Sequence, residues 1–299
     1  MKKLLFIFNP KSGKAQIKNR LLDILDLFVK CGYQVQVHVT QERLDARNQV
    51  ILLGEQVDLL ICSGGDGTLN EVVSGMMELE HPPELGYIPS GSTNDFASSL
   101  GISKRMLSAA RQAMGGNHVT VDVGQFCDRQ YFVYVAAFGA FTEVSYLTPQ
   151  DKKNILGHQA YIIEGVKSLA GLRAYQMTIE WEERILEGEF LFGMVTNTLS
   201  VGGFKGLVSQ DVALDDGMFE VLLVRAPKTP VEFSNVASCL LFKEEESEFV
   251  YKFKTSSLKI TSQDPIDWVL DGEFGGSKTL VEIRNLPRKL KIKKNGVKG

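Results

Sequence analysis

The chain has 299 residues, of which 44% are hydrophobic and 23% are charged, and it contains 28 Gly and 4 Cys. This length suffices for about two domains, and the hydrophobic share excludes a disordered or collagen-like chain. The formal net charge of -3 argues against a dedicated nucleic-acid-binding protein, which usually has a strong basic excess. No apolar run approaches the roughly 20 residues that span a bilayer. We therefore expect a globular protein with no nucleic-acid partner.

The N-terminal apolar run 4–8 ends at Asn9-Pro10, too early for the core of a secretion signal. We interpret it as a buried strand and predict a cytoplasmic protein. The four cysteines are far apart and form no Cys-x-x-Cys pair, which indicates neither a zinc site nor a disulfide framework.

The first part of the chain alternates between two hydrophobic periods. Continuous or alternating apolar runs predict strands, and apolar residues at helical spacing predict helices. The predicted strands are 4–8, 33–39, 57–61 and 85–88. The predicted helices are 17–29, 42–53, 69–77 and 104–114. Such alternation is typical of a parallel sheet covered by helices on both faces.

From about residue 118 the pattern changes to strands joined by turns. The predicted strands are 118–123, 131–137, 175–181, 190–197, 218–224, 249–253, 258–261 and 280–284. The predicted helices are 153–170 and 230–242. This composition predicts a mainly antiparallel, sandwich-like second domain. We place the boundary between domains 1–124 and 125–299, with the last residues as candidates to pack back on the first domain.

Three polar loops follow predicted strands of the first domain, where parallel sheets bind ligands. The first, 9–14, reads Asn-Pro-Lys-Ser-Gly-Lys, and its hydroxyl (Ser12), Gly13 and two lysines suit phosphate. Its spacing is not that of a Walker A loop, and a surface turn is the alternative.

The second loop, 63–71, reads Ser-Gly-Gly-Asp-Gly-Thr-Leu-Asn-Glu. Its glycines allow close backbone approach to a phosphate, Asp66 could bind Mg²⁺ or accept a proton, and Thr68 could cap the next helix or bind phosphate. A glycine-rich turn is the alternative. The third loop, 89–97, reads Pro-Ser-Gly-Ser-Thr-Asn-Asp-Phe-Ala and suits phosphate or metal binding, with ordinary helix capping as the alternative.

These three motifs, in this order, resemble those of the soluble bacterial diacylglycerol kinase-like lipid kinases, which are related to sphingosine and ceramide kinases. Two later segments extend the resemblance over nearly the whole chain. Segment 213–218, Ala-Leu-Asp-Asp-Gly-Met, resembles a loop that holds a structural Mg²⁺ in some bacterial members, and 271–273 resembles the family's Asp-Gly-Glu motif.

The resemblance implies a phosphofructokinase-like nucleotide domain and a β-sandwich domain, with ATP bound between them. Together with the loop chemistry, it predicts a set of nucleotide-binding residues: Asn9, Ser12, Gly13, Thr40, Gly64, Gly65, Asp66, Gly67, Thr68, Leu69, Asn70, Ser92, Asn94 and Asp95. Family members usually have Thr at this position, and Ser92 keeps the hydroxyl group of that Thr. The predicted structural Mg²⁺ ligands are Asp216 and the backbone carbonyls of Ala213 and Met218, although Asp-Gly is also typical of a plain hairpin turn.

The implied reaction transfers the γ-phosphate of ATP to a lipid hydroxyl, most simply diacylglycerol, giving phosphatidic acid. The base candidates are Asp66, Asp271 and Glu273; we favour one of the last two, with Asp66 on metal and phosphates, although sphingosine kinases are usually described with the Asp66 equivalent as base. Lys11 or Lys14 would help to neutralise the phosphates.

The acceptor implies transient contact with the inner face of the membrane. The basic and apolar segment 288–294 could provide it, but a final strand or solvated tail is the preferred interpretation. A homodimer is a further expectation. Another lipid acceptor, an NAD kinase, or an inactive nucleotide-dependent lipid-binding regulator remain alternatives.

Overall fold

The structure is a computed structural model that describes residues 1–13, 15–139, 173–198, 200–201, 204–205, 212–242 and 248–294. Lys14 and the helix predicted at 153–170 lie outside the described residues. The chain divides into two compact units. The first contains Met1–Val123, Leu214–Asp216 and the described residues from Leu286 onward, and the second contains the described residues of Gly124–Ala213 and Gly217–Asn285. Two units, the second rich in strands, agree with the sequence prediction.

The first unit contains four neighbouring strands: β1 (Lys2–Phe8), β2 (Tyr33–Val39), β3 (Leu59–Gly64) and β4 (Glu84–Pro89). β1 pairs in parallel with β2 and β3, and β3 pairs in parallel with β4. The last five residues of β1 and all of β3 are buried. These runs are almost wholly apolar because both faces of the strands are covered.

The described residues of the first unit form five α-helices: α1 (Leu21–Lys30), α2 (Asp45–Leu53), α3 (Asp66–Met76), α4 (Asp95–Ser99) and α5 (Met106–Ala113). Short 3₁₀ segments occupy Gln16–Asn19 and Gly54–Gln56. The predicted helix 17–29 is thus a 3₁₀ turn followed by α1. Helix α4 is not among the predicted helices, but it begins directly after Asn94, where the helix-capping alternative for the third loop places a helix start.

The second unit is built mainly from antiparallel pairs. Its strands are the end of β5 (His118–Phe126), β6 (Gln130–Phe132), β7 (Val135–Gly139), β8 (Tyr175–Trp181), β9 (Arg184–Thr196), β10 (Ser200–Val201), β11 (Phe204–Lys205), β12 (Phe219–Arg225), β13 (Val250–Thr255), β14 (Ser257–Leu270) and the first part of β15 (Glu273–Lys293). Helix α6 spans Pro230–Phe242. In the core, the Trp268 ring lies 5.2 Å from Phe126 and 5.0 Å from Phe138, centroid to centroid.

The last two strands are much longer than predicted. Segments 258–261 and 280–284 are parts of the 14-residue β14 and the 21-residue β15. Their pairing shifts register between Thr261 and Ile266 and again between Trp268 and Val269. Each shift interrupts the two-residue alternation by which a strand is identified in a sequence.

Asp122 is fully buried and forms hydrogen bonds with two later segments of the chain that belong to the first unit. The backbone N–H of Asp122 donates to the Leu214 carbonyl (2.8 Å), and its carboxylate accepts from the Arg288 backbone N–H (2.7 Å). Further on, Ile292 pairs in parallel with Leu85 of β4. These contacts attach the short 214–216 segment and the end of β15 to the first unit.

Candidate active site

Asn9 links the end of β1 to the start of α3. Its backbone N–H donates to the Ser63 carbonyl (2.9 Å), and its side-chain amide donates to the Thr68 hydroxyl (3.4 Å). Its side-chain oxygen accepts from the Lys11 N–H (2.9 Å), which closes the first loop as an Asx turn. Asn9 and Thr68 therefore hold the first two predicted loops against one another.

Glycines allow the three loops to approach one another closely. A Cβ atom on Gly13, where φ is +55°, would lie 2.2 Å from the Ser90 carbonyl oxygen. A Cβ on Gly91 would lie 2.5 Å from the Gly65 Cα atom, and one on Gly64 would lie 2.4 Å from the Thr68 Cβ. No side chain fits these positions without a shift of the backbone. The loops after β1, β3 and β4 therefore form one cluster, which we call the glycine cradle and define as residues 9–13, 64–68 and 90–94.

Helix α3 begins inside the glycine cradle. Its N-cap residue is Gly65, which provides no side-chain cap, and its first residue is Asp66. The first-turn N–H groups of such a helix attract anions, because the helix dipole is positive there. Gly67, Leu69 and Asn70 belong to the first turns of α3. The cradle thus combines backbone donors with a helix N-terminus, a combination suited to phosphate.

Asn94 organises the third loop from within. Its φ is +52°, its side-chain oxygen accepts from the Gly91 N–H (2.9 Å), and its amide donates to the Gly91 carbonyl (2.7 Å). Asp95 is buried at the start of α4, whereas Ser92 is exposed. Of these three predicted binding residues, Ser92 presents the most accessible side chain.

Tyr87 is a member of the site that sequence reasoning missed. Its hydroxyl donates to the Gly64 carbonyl (3.2 Å) and lies 3.4 Å from the Asn94 side-chain oxygen. Burial, followed by the nearby charge of Asp66, raises the Tyr87 pKa well above its ordinary value, so the phenol remains a donor. The available signal was a hydroxyl-bearing aromatic residue in the apolar strand that leads into the third loop.

Thr40 follows β2 at the same end of the sheet. Its backbone N–H donates to the carbonyl of Phe8 (3.0 Å), and Phe8 directly precedes Asn9. The side chain is half-buried. The loop after β2 is therefore attached to the strand that leads into the cradle.

The two carboxylates of the late Asp-Gly-Glu motif have different environments in the second unit. Asp271 is 2% exposed, has φ of +50°, and its carboxylate accepts three backbone N–H groups: from Val133 (2.7 Å), Tyr134 (3.0 Å) and Val135 (3.0 Å). The Glu273 side chain is exposed. Asp271 thus holds the 133–135 segment, while Glu273 is accessible to a substrate.

The segment predicted to hold a structural Mg²⁺ is a turn before β12. Ala213 and Asp216 are exposed, Met218 is half-buried, and Gly217 has φ of +79°. Ala213 and Met218 belong to the second unit and Asp216 to the first. Among the described residues, no group of three or more His, Cys, Asp or Glu side chains could hold a metal. A carboxylate such as that of Asp216 and backbone carbonyls are oxygen donors of the kind that Mg²⁺ takes.

The chain is similar to known proteins in both sequence and fold. Residues 3–126 match the diacylglycerol kinase catalytic domain. The chain is 37% identical to a diacylglycerol kinase from Bacillus subtilis strain 168, over 92% of this chain and 91% of the relative. The chain belongs to the diacylglycerol kinase family. A diacylglycerol kinase from Staphylococcus aureus strain RF122 is 35% identical, over 97% of this chain and 92% of the relative.

The fold of this family member also matches solved structures. A crystal structure of a Bacillus anthracis protein superposes with a TM-score of 0.82 at 26% identity, covering 98% of this chain and 95% of that one. A diacylglycerol kinase from the same organism gives a TM-score of 0.75 over 98% and 97% of the two chains, at 24% identity. These likenesses support the two-unit kinase fold.

The basic C-terminal segment of this family member forms the end of β15. Leu290 and Ile292 are fully buried, and Lys293 pairs with Glu84 at 2.7 Å. The preferred interpretation as a final strand is therefore confirmed, and the Leu290 and Ile292 side chains are packed inside the first unit. No helix in the described parts of the chain is both long and apolar enough to span a bilayer.

Proposed function

We propose that this chain is an ATP-dependent diacylglycerol kinase that transfers the γ-phosphate to the free hydroxyl of diacylglycerol, giving phosphatidic acid. The match to diacylglycerol kinases over nearly the whole chain carries this proposal. Residues 3–126, which contain the glycine cradle, match the diacylglycerol kinase catalytic domain. The parallel pairing of β1 to β4 supports the phosphofructokinase-like nucleotide domain, 1–124, and the antiparallel pairs support a β-sandwich domain within 125–299. The end of β15 joins the nucleotide domain.

The glycine cradle binds the phosphates of ATP in this proposal. Donors come from the N-terminus of α3 and the exposed Ser92 hydroxyl, and Lys11 adds positive charge. Thr40 provides a contact from the neighbouring loop. The buried Asn94 supports the loop conformation through its side-chain bonds to Gly91, and Asp95 is buried directly after it. Phosphoryl transfer depends mainly on such positioning and charge neutralisation.

Glu273 is the general base, and Asp271 positions the motif. A base must reach the reacting hydroxyl, and the exposed Glu273 can do so, whereas the Asp271 carboxylate is buried and accepts three backbone N–H groups. The hydroxyl oxygen forms the new bond to the γ-phosphorus while the bond from that phosphorus to the β,γ-bridging oxygen breaks. Glu273 takes the hydroxyl proton, and ADP leaves.

Magnesium fits two places by donor chemistry. Asp66 is half-buried at the mouth of the cradle and would hold an ion that neutralises phosphate charge. Asp216, with the carbonyls of Ala213 and Met218, would hold a structural ion in the turn before β12.

The lipid acceptor requires peripheral membrane contact at the inner face, for which the 54% exposed Phe274 beside Glu273 is a candidate. A homodimer stays an expectation.

The test is transfer of labelled γ-phosphate from ATP, with Mg²⁺, to a panel of acceptors in mixed micelles. Diacylglycerol, monoacylglycerol, ceramide, sphingosine, undecaprenol and NAD distinguish the candidates. We expect labelled phosphatidic acid that is lost in Glu273→Gln and Asp66→Asn but retained in Glu282→Gln, a control on an exposed carboxylate of the same strand. Label on another lipid changes the acceptor, label on NAD refutes a lipid kinase, and no label supports a non-catalytic regulator.

A further inference from the structure

The loop between β2 and α2 is fixed at its first residues by local hydrogen bonds. Thr40 is bound to β1 as described above, and the Gln41 N–H donates to an Asp45 carboxylate oxygen (2.8 Å). The other Asp45 oxygen lies 3.0 Å from His38 Nε2. Asp45 therefore ties the beginning of the loop to the first residue of α2.

The end of this loop has an unfavourable conformation. Leu44, the N-cap residue of α2, has φ of +66° and ψ of 1°, and its side chain forms no capping hydrogen bond. A left-handed conformation is costly for a residue with a branched side chain, and the first N–H groups of a helix need acceptors from elsewhere. Local sequence does not explain why the loop keeps this shape.

Glu71 supplies the missing cap from another helix. One oxygen of its carboxylate accepts from the Leu44 N–H (2.9 Å), and the other accepts from the Ala46 N–H (3.2 Å). Glu71 lies in α3, five residues after Asp66, on the helix whose N-terminus opens into the glycine cradle. A negative charge at the N-terminus of α2 also interacts favourably with the helix dipole.

We propose that Glu71 is a positioning residue for nucleotide binding: it fixes the end of the 40–44 loop, which begins at Thr40, relative to the helix that begins in the glycine cradle. This inference rests on the proposed function. Glu71 acts on the loop backbone and takes no part in the chemical step. Loss of the cap lowers the fraction of molecules with the loop in its binding-competent shape, and the apparent affinity for ATP falls by the same factor.

The test compares Glu71→Ala and Glu71→Gln with Glu78→Gln. Glu78 pairs with Arg47 of α2, so its loss weakens contact with the same helix without touching the 40–46 backbone. We expect KM for ATP to rise about tenfold in Glu71→Ala and less in Glu71→Gln, which keeps one acceptor oxygen, with kcat within about threefold of the parent. We expect the KM for diacylglycerol to stay unchanged in all three variants. The KM for ATP should also stay unchanged in Glu78→Gln.

Hydrogen–deuterium exchange without nucleotide measures the loop directly. Faster exchange across 41–46 in the Glu71 variants, with the rest of the folded protein unchanged, is the expected result. Unchanged exchange there, or an equal rise of the ATP KM in Glu78→Gln, overturns the proposal. A parent protein that transfers no phosphate refutes the proposed function instead, and the exchange result still decides whether Glu71 holds the loop.

Discussion

Replacement of Asp271 by Asn, compared with replacement of Glu273 by Gln, separates a structural carboxylate from a reacting one. The two side chains are two residues apart, and each substitution removes a charge with little change in shape. The Asp271 carboxylate accepts three backbone N–H groups at 2.7–3.0 Å and is 2% exposed, whereas Glu273 is exposed. The first substitution should therefore lower stability, and the second should lower the rate.

The size of the stability loss follows from the hydrogen bonds. The Val133 N–H donates to one oxygen of Asp271, and the Tyr134 and Val135 N–H groups donate to the other. Asn keeps one acceptor oxygen and places an NH₂ group against at least one N–H donor. Hydrogen bonds to a charged group contribute about 1.5–3 kcal/mol each, so we expect the free energy of unfolding to fall by about 2–4 kcal/mol. For units of this size, Tm falls by roughly 5–15 °C.

The assay measures Tm and kcat for both variants, with activity taken well below the lower Tm. In Glu273→Gln we expect Tm to be almost unchanged, since exposed substitutions alter stability by about 0.5 kcal/mol or less. Its kcat should fall about 10²- to 10⁴-fold, as for loss of a general base. Unchanged Tm with lost activity in Asp271→Asn would assign the chemistry to Asp271. A kcat near that of the parent in Glu273→Gln would refute the choice of base.

Three further substitutions test the cradle and the lipid side. Gly13→Ala places a Cβ 2.2 Å from the Ser90 carbonyl oxygen, at a residue with φ of +55°. We therefore expect at least about a tenfold loss of ATP affinity, measured by calorimetry. Gly116→Ala, whose Cβ would have no atom within 4 Å, is the control that should leave the affinity unchanged. Tyr87→Phe loses the hydrogen bond to the Gly64 carbonyl and should lower stability by about 1 kcal/mol in thermal unfolding. Because burial raises the Tyr87 pKa above its ordinary 10.0, the parent should lose stability as pH rises past 10.0, and the variant should lose less. Phe274→Ala should raise the KM for diacylglycerol in micelles several-fold and leave the KM for ATP unchanged; an equal change in both would contradict a lipid contact.

The locations of the loops were readable from the sequence because their chemistry is local. Runs of Gly, Ser and Asn after apolar strands mark the ends of β1, β3 and β4, and parallel pairing places these ends together. The long strands β14 and β15 were underestimated because register shifts break their alternation. Tyr87 was missed because its position in an apolar strand indicates only a core residue.

The Asp-Gly-Glu motif alone does not show that Asp271 and Glu273 have different environments. The donors to Asp271 come from residues 136–138 positions earlier in the chain, so only the folded structure shows that this carboxylate is occupied. The role of Glu71 could not be predicted from the sequence for the same reason, because its partners lie 25 and 27 positions away. In both cases the residue type was visible and its partner was not.

Asn94, Asp271 and Glu71 each form side-chain hydrogen bonds at a place where a residue other than Gly has a left-handed backbone conformation. Asn94 has φ of +52° and bonds its own loop through its side-chain amide; Asp271 has φ of +50° and accepts three distant N–H groups; Glu71 holds Leu44 at φ of +66°. A left-handed backbone in a residue other than Gly persists where surrounding bonds hold it, and each of these polar side chains supplies such bonds. Polar members of a motif therefore divide into two groups. Those that satisfy backbone N–H groups fix the loops, and we propose that exposed ones such as Ser92 and Glu273 contact the substrates. Substitution of the first group should alter stability or apparent affinity, whereas substitution of Glu273 should alter kcat without altering Tm.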